Sequence, residues 1–236
     1  MTKNILSQLK NQIIVSIQAM PNEPLYEENS MLAMIKSVIE LGGASAVRLA
    51  GYRDIQNTKK LFPNVLTIGI TKPSKIPENY KELVYITPTI ENCKEIIEAG
   101  ADIVAFDGTK RKRPNNENLK NLIDYIKSKN KLAMADIATF EEAKNAYELG
   151  CDIVSTTLSG YTKETENNPD CPDFDLVKKI KENFEIFTIL EGKIWEINEA
   201  KKAFETGADA IVIGSAITRP QLITKRFINS IKDIKW

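Results

Sequence analysis

The sequence predicts an α/β protein in which eight strand–helix units close into one barrel, and three observations support that prediction. Eight short runs rich in β-branched residues alternate with longer stretches whose apolar residues recur at i, i+3 and i+4. Eight units in 236 residues give about 30 residues per unit, the usual size of a strand–helix step. A glycine-centred signature also recurs along the chain. The expected fold class is therefore α/β, a (β/α)8 TIM barrel.

The predicted strands are spaced as such a barrel requires. In chain order they are Ile13–Ile17, Ala46–Leu49, Val65–Ile70, Ile103–Phe106, Lys131–Ala135, Ile153–Thr156, Ile186–Leu190 and Ala210–Ile213. Helical patterns lie between them, and the clearest are Asn118–Lys127, Phe140–Leu149 and Glu196–Glu205.

A repeated signature marks where helices end and strands begin. Residues 99–104 read Ala-Gly-Ala-Asp-Ile-Val, and closely similar sequences recur at 149–154 and 206–211. Residues 41–44, Leu-Gly-Gly-Ala, form a weaker copy. Each copy predicts a helix that ends at a glycine and turns into a buried strand. The alternative is that these glycines are the ordinary helix-to-strand turns of any α/β chain, but their regular spacing makes a chance recurrence a poor explanation.

The chain reads as a single barrel domain over residues 1–236. It contains no Gly/Ser linker and no low-complexity segment, and α/β barrels commonly use 200–250 residues as one unit. An open doubly wound sheet is the alternative architecture. That fold usually has a glycine-rich phosphate turn after its first strand. Residues 18–24, which follow the first predicted strand here, contain no glycine.

The composition is that of a folded protein, and it excludes several kinds of chemistry. Hydrophobic residues make up 42%, and 32 basic residues balance 32 acidic ones. The absence of histidine excludes Ser-His-Asp and Cys-His catalysis and zinc held by imidazole.

Cys93, Cys151 and Cys171 form no C-x-x-C pair, so we expect neither disulfides nor a metal site. With no long apolar run, we expect a cytoplasmic protein without a membrane partner.

Active sites of (β/α)8 barrels lie at the carboxyl ends of the strands, so polar residues at those ends are the candidates. They are Gln18, Arg48, Lys72, Asp107, Asp136, Thr156, Thr157, Glu191, Gly214 and Ser215.

The last two units give the clearest local signal, within residues 190–220. Gly192 and Gly214 follow buried strands and allow close approach of a ligand to the backbone. The helix that begins near Ser215 offers free N–H groups, and Arg219 adds a cation. Loops seven and eight of barrels often bind phosphate in this way. The structural alternative is a tight packing turn with an arginine at the surface.

Lys72 and Glu191 are the candidates for proton transfer. A lysine acts as a base only when it is neutral, and neutrality near pH 7.4 costs about 4 kcal/mol from its ordinary pKa. Burial or a neighbouring cation such as Arg48 lowers that cost. A lysine exposed to solvent is the alternative, with Lys75 as the other candidate base. Glu191 is expected to be ionised without tuning.

Arg48 and Asp136 have two open interpretations: a mutual ion pair, or contacts that orient a substrate. The run Lys110-Arg111-Lys112-Arg113 is basic. A solvated edge or an anion-binding rim explains it better than RNA contact, because the net charge is zero and nucleic-acid binding usually needs a basic excess.

Several sequence blocks resemble one known family. They are residues 15–25 (Val-Ser-Ile-Gln-Ala-Met-Pro-Asn-Glu-Pro-Leu), 85–89 (Tyr-Ile-Thr-Pro-Thr), 134–137 (Met-Ala-Asp-Ile), 156–162 (Thr-Thr-Leu-Ser-Gly-Tyr-Thr), 191–194 (Glu-Gly-Lys-Ile) and 216–220 (Ala-Ile-Thr-Arg-Pro). Together they resemble the bacterial N-acetylmannosamine-6-phosphate 2-epimerases, in the family's order and over nearly the whole chain. The chain departs from the family's pattern at several positions, among them Leu49-Ala50, where an Ala-Asn pair is usual, and Pro73 after the lysine. Leu190 replaces a usual alanine and is expected to enlarge a side chain near the carboxylate of Glu191.

The resemblance implies a (β/α)8 isomerase that interconverts N-acetylmannosamine 6-phosphate and N-acetylglucosamine 6-phosphate in sialic acid breakdown. It implies no metal and no organic cofactor. A homo-oligomer is expected, with a dimer as the first expectation. The roles that it implies are catalytic for Lys72 and Glu191, substrate-binding for Gln18, Arg48 and Asp136, and phosphate-binding for Gly192, Gly214, Ser215 and Arg219.

Two other functions remain open at this point. The first is another phosphate-binding barrel, a sugar-phosphate isomerase or synthase, because such enzymes have the same phosphate site in their last two strand–helix units. A barrel that senses phosphate and regulates RNA is the non-enzyme alternative, and it would need a basic face.

Overall fold

The computed structural model describes residues 2–232, and its eight parallel strands close into one barrel in chain order, with the last strand paired to the first. The strands are β1 (Ile13–Ile17), β2 (Ala46–Ala50), β3 (Leu66–Ile70), β4 (Ile103–Asp107), β5 (Leu132–Asp136), β6 (Ile153–Ser155), β7 (Phe187–Glu191) and β8 (Ala210–Ile213). The predicted barrel is confirmed, and each predicted strand boundary lies within one residue of the observed one.

Helices connect the strands and surround the barrel. They are α1 (Thr2–Leu9), α2 (Glu28–Lys36), α3 (Tyr52–Leu61), α4 (Ile90–Ala99), α5 (Leu119–Ser128), α6 (Phe140–Glu148), α7 (Phe174–Asn183), α8 (Ile197–Glu205), α9 (Ser215–Thr218) and α10 (Pro220–Ser230). The side chains of Asn118 and Thr139 cap α5 and α6 by accepting backbone N–H groups of the first turn. The predicted helical patterns therefore begin where polar capping residues allow.

The glycine signature has the structure that its sequence predicts. Gly100, Gly150 and Gly207 all have positive φ, of 104°, 83° and 105°, at the carboxyl ends of α4, α6 and α8. A left-handed residue at this place ends a helix, and glycine adopts it without a Cβ penalty.

The aspartate of each full copy joins two strands and a helix. Asp102 accepts a hydrogen bond from the N–H of Thr67 at 3.0 Å and an ion pair from Lys59 at 2.9 Å. The other two copies repeat this arrangement with Asp152, Ala133 and Lys127, and with Asp209, Thr188 and Lys181. These contacts fix neighbouring strands in register at the amino ends of β4, β6 and β8.

Two apolar layers form the core. Ile14, Met134 and Ile189 belong to a cluster inside the barrel, whereas Val104 and Ile96 belong to a cluster between the strands and the helices. Successive side chains of a strand point to opposite faces, which produces this division. Within residues 2–232 no helix combines the length and the apolar character of a membrane span.

Candidate active site

The alternation along the strands turns a set of polar side chains towards the barrel axis. Met134 and Ile189 lie in the cluster inside the barrel. Asp136 and Glu191 follow two residues later, at the carboxyl ends of β5 and β7, and therefore face the same way. Arg48 in β2 faces inward by the same count. The carboxyl end of the barrel thus contains charged groups above an apolar layer.

A cavity of about 480 Å³ opens at this end. Seven of the nine predicted site residues line it: Gln18, Lys72, Glu191, Gly192, Gly214, Ser215 and Arg219. The predicted amine, the predicted carboxylate and the predicted anion-binding residues therefore share one chamber.

Arg48 and Asp136, the other two predicted residues, do not line this cavity and are buried. The guanidinium of Arg48 makes a two-pronged pair with the Asp136 carboxylate, at 3.0 and 2.6 Å, and its Nη1 lies 2.5 Å from Oε2 of Glu191. Burial opposes the charged guanidinium, but the two carboxylates outweigh burial and raise the pKa of Arg48 above its ordinary value. Either charge buried without the other would destabilise the fold, so each depends on the pair.

Glu191 is held through one of its two oxygens. Its Oε2 lies 2.5 Å from Arg48, 3.0 Å from the Thr157 hydroxyl and 3.4 Å from the Ser155 hydroxyl. Within residues 2–232 its Oε1 has no hydrogen bond. Burial raises the pKa of Glu191, the charge of Arg48 works against that rise, and the charge of Asp136 adds to it. Glu191 therefore exchanges a proton more readily near neutral pH than an exposed glutamate does.

The amine of Lys72 makes no hydrogen bond or ion pair with any residue between 2 and 232. Its pKa is lowered to about 8, first by burial and then by the charge of Arg48, while Glu191 and Asp136 oppose the shift. The backbone before it is fixed, because Thr71 and Thr87 bond to each other in both directions at 3.0 and 3.1 Å. The lysine thus has the two properties of a base: an unpaired amine and a lowered pKa.

The loops after β7 and β8 present hydrogen-bond donors to the same cavity. Within residues 2–232 the backbone N–H groups of Gly192, Gly214 and Ser215 have no partner. Gly192 needs glycine because its φ is 107°. A Cβ on Gly214 would lie 3.3 Å from the Cβ of Ser16, so glycine at this position also keeps the chamber open. Free N–H groups at the chamber wall suit an anion.

Arg219 lines the same cavity and is oriented by the β1–α2 loop. It forms an ion pair with Glu23, and its Nη1 donates to the carbonyl of Gln18 at 3.3 Å. Its Nε is buried and unpartnered within the described chain, as is Oε1 of Gln18. Gln18 itself is held by a 2.8 Å bond from its Nε2 to the Ser16 hydroxyl. A buried donor and a buried acceptor without protein partners are what a polar ligand satisfies.

Comparison with known proteins identifies the family. Residues 31–233 match the family described as "Putative N-acetylmannosamine-6-phosphate epimerase". A relative from Clostridioides difficile with a corresponding name is 45% identical over 97% of this chain and 99% of its own. The chain belongs to the N-acetylmannosamine-6-phosphate epimerase family. A relative from Caldanaerobacter subterraneus is 44% identical over 100% of this chain and 98% of its own.

A solved structure agrees with this family membership. The N-acetylmannosamine-6-phosphate 2-epimerase from Clostridium perfringens is 42% identical, with a TM-score of 0.89 over 96% of each chain. A thiamine phosphate pyrophosphorylase from Pyrococcus furiosus, at 18% identity and a TM-score of 0.58, covers 90% of this chain and 89% of its own. That more distant likeness shows the fold alone. The epimerase family, and not another phosphate-binding barrel, is therefore the relationship that the sequence supports.

Reasoning on strand ends alone missed several cavity residues, among them Tyr85, Tyr161 and Lys193. Tyr85 and Tyr161 lie in blocks 85–89 and 156–162, which resemble the epimerase family, and that resemblance was the signal that could have singled them out. Lys193 has a φ of 61° and reaches back to the carbonyl of Pro169 at 2.8 Å. It thereby joins the loop after β7 to the loop after β6.

The expectation for Leu190 was wrong. Leu190 packs with Val177 and Ala203 on the helix side of the barrel, whereas Glu191 faces the cavity. Neighbouring residues of a strand point to opposite faces, so the larger side chain lies away from the carboxylate.

Proposed function

We propose that this protein interconverts N-acetylmannosamine 6-phosphate and N-acetylglucosamine 6-phosphate by inverting C2, a reaction of sialic acid breakdown. The observation that supports the proposal best is the shared chamber. An unpaired amine with a pKa of about 8 and a largely buried carboxylate line a cavity that free N–H groups and Arg219 also line. Membership of the epimerase family fits this arrangement.

The chemistry requires a base for a carbon-bound proton. The C2 proton is acidic only when C1 is a carbonyl, so the sugar ring must open first. Neutral Lys72 then removes the C2 proton and leaves an enolate that is planar at C2. Delivery of a proton to the opposite face gives the epimer. The lowered pKa keeps a useful share of Lys72 neutral at physiological pH.

Glu191 fits two roles, which one variant separates. It either assists ring opening or delivers the second proton. If it assists ring opening, E191Q slows epimerisation and C2 proton exchange together. If it delivers the second proton, E191Q retains exchange at C2 of the substrate while the epimer fails to form. Its free Oε1 is the atom available for either task.

Arg48 and Asp136 act from beneath the chamber in this proposal. Arg48 holds Oε2 of Glu191 and helps to lower the pKa of Lys72, and Asp136 holds Arg48. They are therefore positioning residues. Because both side chains are buried, the proposal does not give them the substrate contacts that the resemblance implies.

The phosphate of the substrate would bind at the loops after β7 and β8. We assign it to the N–H groups of Gly192, Gly214 and Ser215 and to the guanidinium of Arg219, with Gln18 beside them. Such a grip supplies binding energy remote from the reacting carbon and positions that carbon against Lys72.

A coupled assay with N-acetylmannosamine 6-phosphate tests the proposal, with other sugar phosphates as a panel. We expect turnover of the two N-acetylated hexosamine phosphates, abolished by K72A, with K75A as the matched control that retains activity. Turnover of a different sugar phosphate alone, or full activity in K72A, would overturn it. A dimeric state and a cytoplasmic location are further predictions, and light scattering measures the first of them.

A further inference from the structure

A second cavity of about 660 Å³ lies beside the catalytic one, under the loops that follow β3 and β4. Lys72 and Tyr85 line both cavities, so the two cavities adjoin at these side chains. Apolar side chains make up much of the second cavity, among them Pro73, Leu83 and Pro88. Its size is that of cavities that hold small organic molecules.

The lining includes a buried cation without a carboxylate partner. Arg113 is only 6% exposed, although it belongs to the basic run of residues 110–113. Its Nη1 donates to the carbonyl of Pro88 at 3.3 Å, and its Nη2 is buried without a partner among the described residues. Burial lowers its pKa. A buried charge that lacks a partner is costly, which makes the arrangement informative.

The nearby acidic groups are engaged elsewhere or lie at the rim. Asp107 pairs with Arg111 at 2.6 Å, and Glu117 accepts the N–H of Ile90 at 3.1 Å. Burial raises the pKa of the Cys93 thiol to about 12, so this neighbour carries no charge near neutral pH. Glu82 and Glu95 line the cavity but are exposed, and within residues 2–232 neither pairs with Arg113.

Further donors lie on the same wall. Asn92 accepts a bond from Thr89 through its Oδ1, and its Nδ2 has no partner within residues 2–232. Lys112 lines the cavity from the exposed side. The apolar wall suits an uncharged body, and Arg113 with Asn92 suits one planar or tetrahedral anionic group.

We propose that this second cavity is a binding site for a small organic anion, with a carboxylate or phosphate group held by Arg113 and an uncharged body against the proline-rich wall. Because Lys72 and Tyr85 are the only described residues that line both cavities, its occupant lies next to the catalytic amine without taking the place of the substrate. The basic run of residues 110–113 thus contributes Arg113 as an internal anion-binding residue, while Arg111 holds the loop through its ion pair with Asp107.

The first test uses 4-bromobenzoate, whose bromine is located by anomalous scattering in crystals of the full-length protein. We expect its bromine in the second cavity and its carboxylate at Arg113. Bromine only in the catalytic chamber, or only at the surface, would overturn the proposal. Phenyl phosphate, soaked in the same way, distinguishes a phosphate seat from a carboxylate seat.

Calorimetry gives the second test, in solution. We expect R113Q to weaken binding of 4-bromobenzoate by about tenfold to a hundredfold, because a charge-assisted bond is lost. K110Q removes an exposed cation of the same loop that lies outside the lining of this cavity, and R219Q removes the cation of the other chamber; both should bind within about threefold of wild type. Equal weakening in R219Q, or none in R113Q, contradicts the assignment. R113K, which keeps the charge, should bind more tightly than R113Q.

Discussion

The pH dependence of the reaction follows from the surroundings of Lys72. With a pKa of about 8, about a quarter of the lysine is neutral at pH 7.5, compared with about one part in a thousand at the ordinary pKa of 10.5. Below pH 8, kcat/KM should therefore rise about tenfold per pH unit, and above it the profile should level off. Initial rates of the coupled assay from pH 6 to 9.5 at constant ionic strength measure this limb.

The E191Q variant tests the direction in which the charge of Glu191 shifts the pKa of Lys72. The negative charge of Glu191 favours protonated Lys72 and so raises its pKa. Removal of that charge should move the limb to lower pH, even though the maximum rate falls; if E191Q forms no epimer, the rate of C2 proton exchange gives the limb instead. Glu205→Gln, an exposed change in α8, is the matched control and should leave the limb in place. A wild-type limb near pH 10.5, or an alkaline shift in E191Q, would refute the reasoning.

Three further predictions concern binding and stability. R219A should raise KM by about tenfold to a hundredfold with kcat largely kept, and R219K should lie between; an unchanged KM would remove Arg219 from the phosphate seat. D209A breaks the bonds to the Thr188 N–H and to Lys181. The free energy of unfolding in urea should therefore fall by about 1–3 kcal/mol. KM should not change, because Asp209 lies at the amino end of the barrel and the cavity opens at the carboxyl end. Gly192→Ala forces a Cβ into a φ of 107°, at a cost on the order of 1–2 kcal/mol, so it should lower both melting temperature and substrate affinity. A variant that melts and binds as wild type would show that no strain arises there.

The barrel was predictable because its signals are local and repeated. Strand runs alternate with helical patterns, and glycines such as Gly100 and Gly207 mark each helix end. Once the strands are placed, their alternation alone turns Asp136 and Glu191 inward. The cluster of candidate residues at the carboxyl end therefore follows from strand boundaries that are correct to one residue.

What the sequence did not predict depends on contacts across the closed barrel. Arg219 follows β8, and its partner Glu23 follows β1; the two meet only because those strands pair. A pair between Arg48 and Asp136 was one of two interpretations left open, and it forms across 88 residues of chain; its burial and its contact with Glu191 had no local signal. Arg113 looked like one charge of a solvated loop, and nothing local indicates that it turns inward.

The central claim is that Lys72 removes the C2 proton, and solvent exchange tests it most directly. In D2O, proton NMR of N-acetylglucosamine 6-phosphate formed from N-acetylmannosamine 6-phosphate should show deuterium at C2, and K72A should abolish both the epimer and the exchange. Product that retains its original hydrogen at C2, or deuterium incorporation that persists unchanged in K72A, would contradict it.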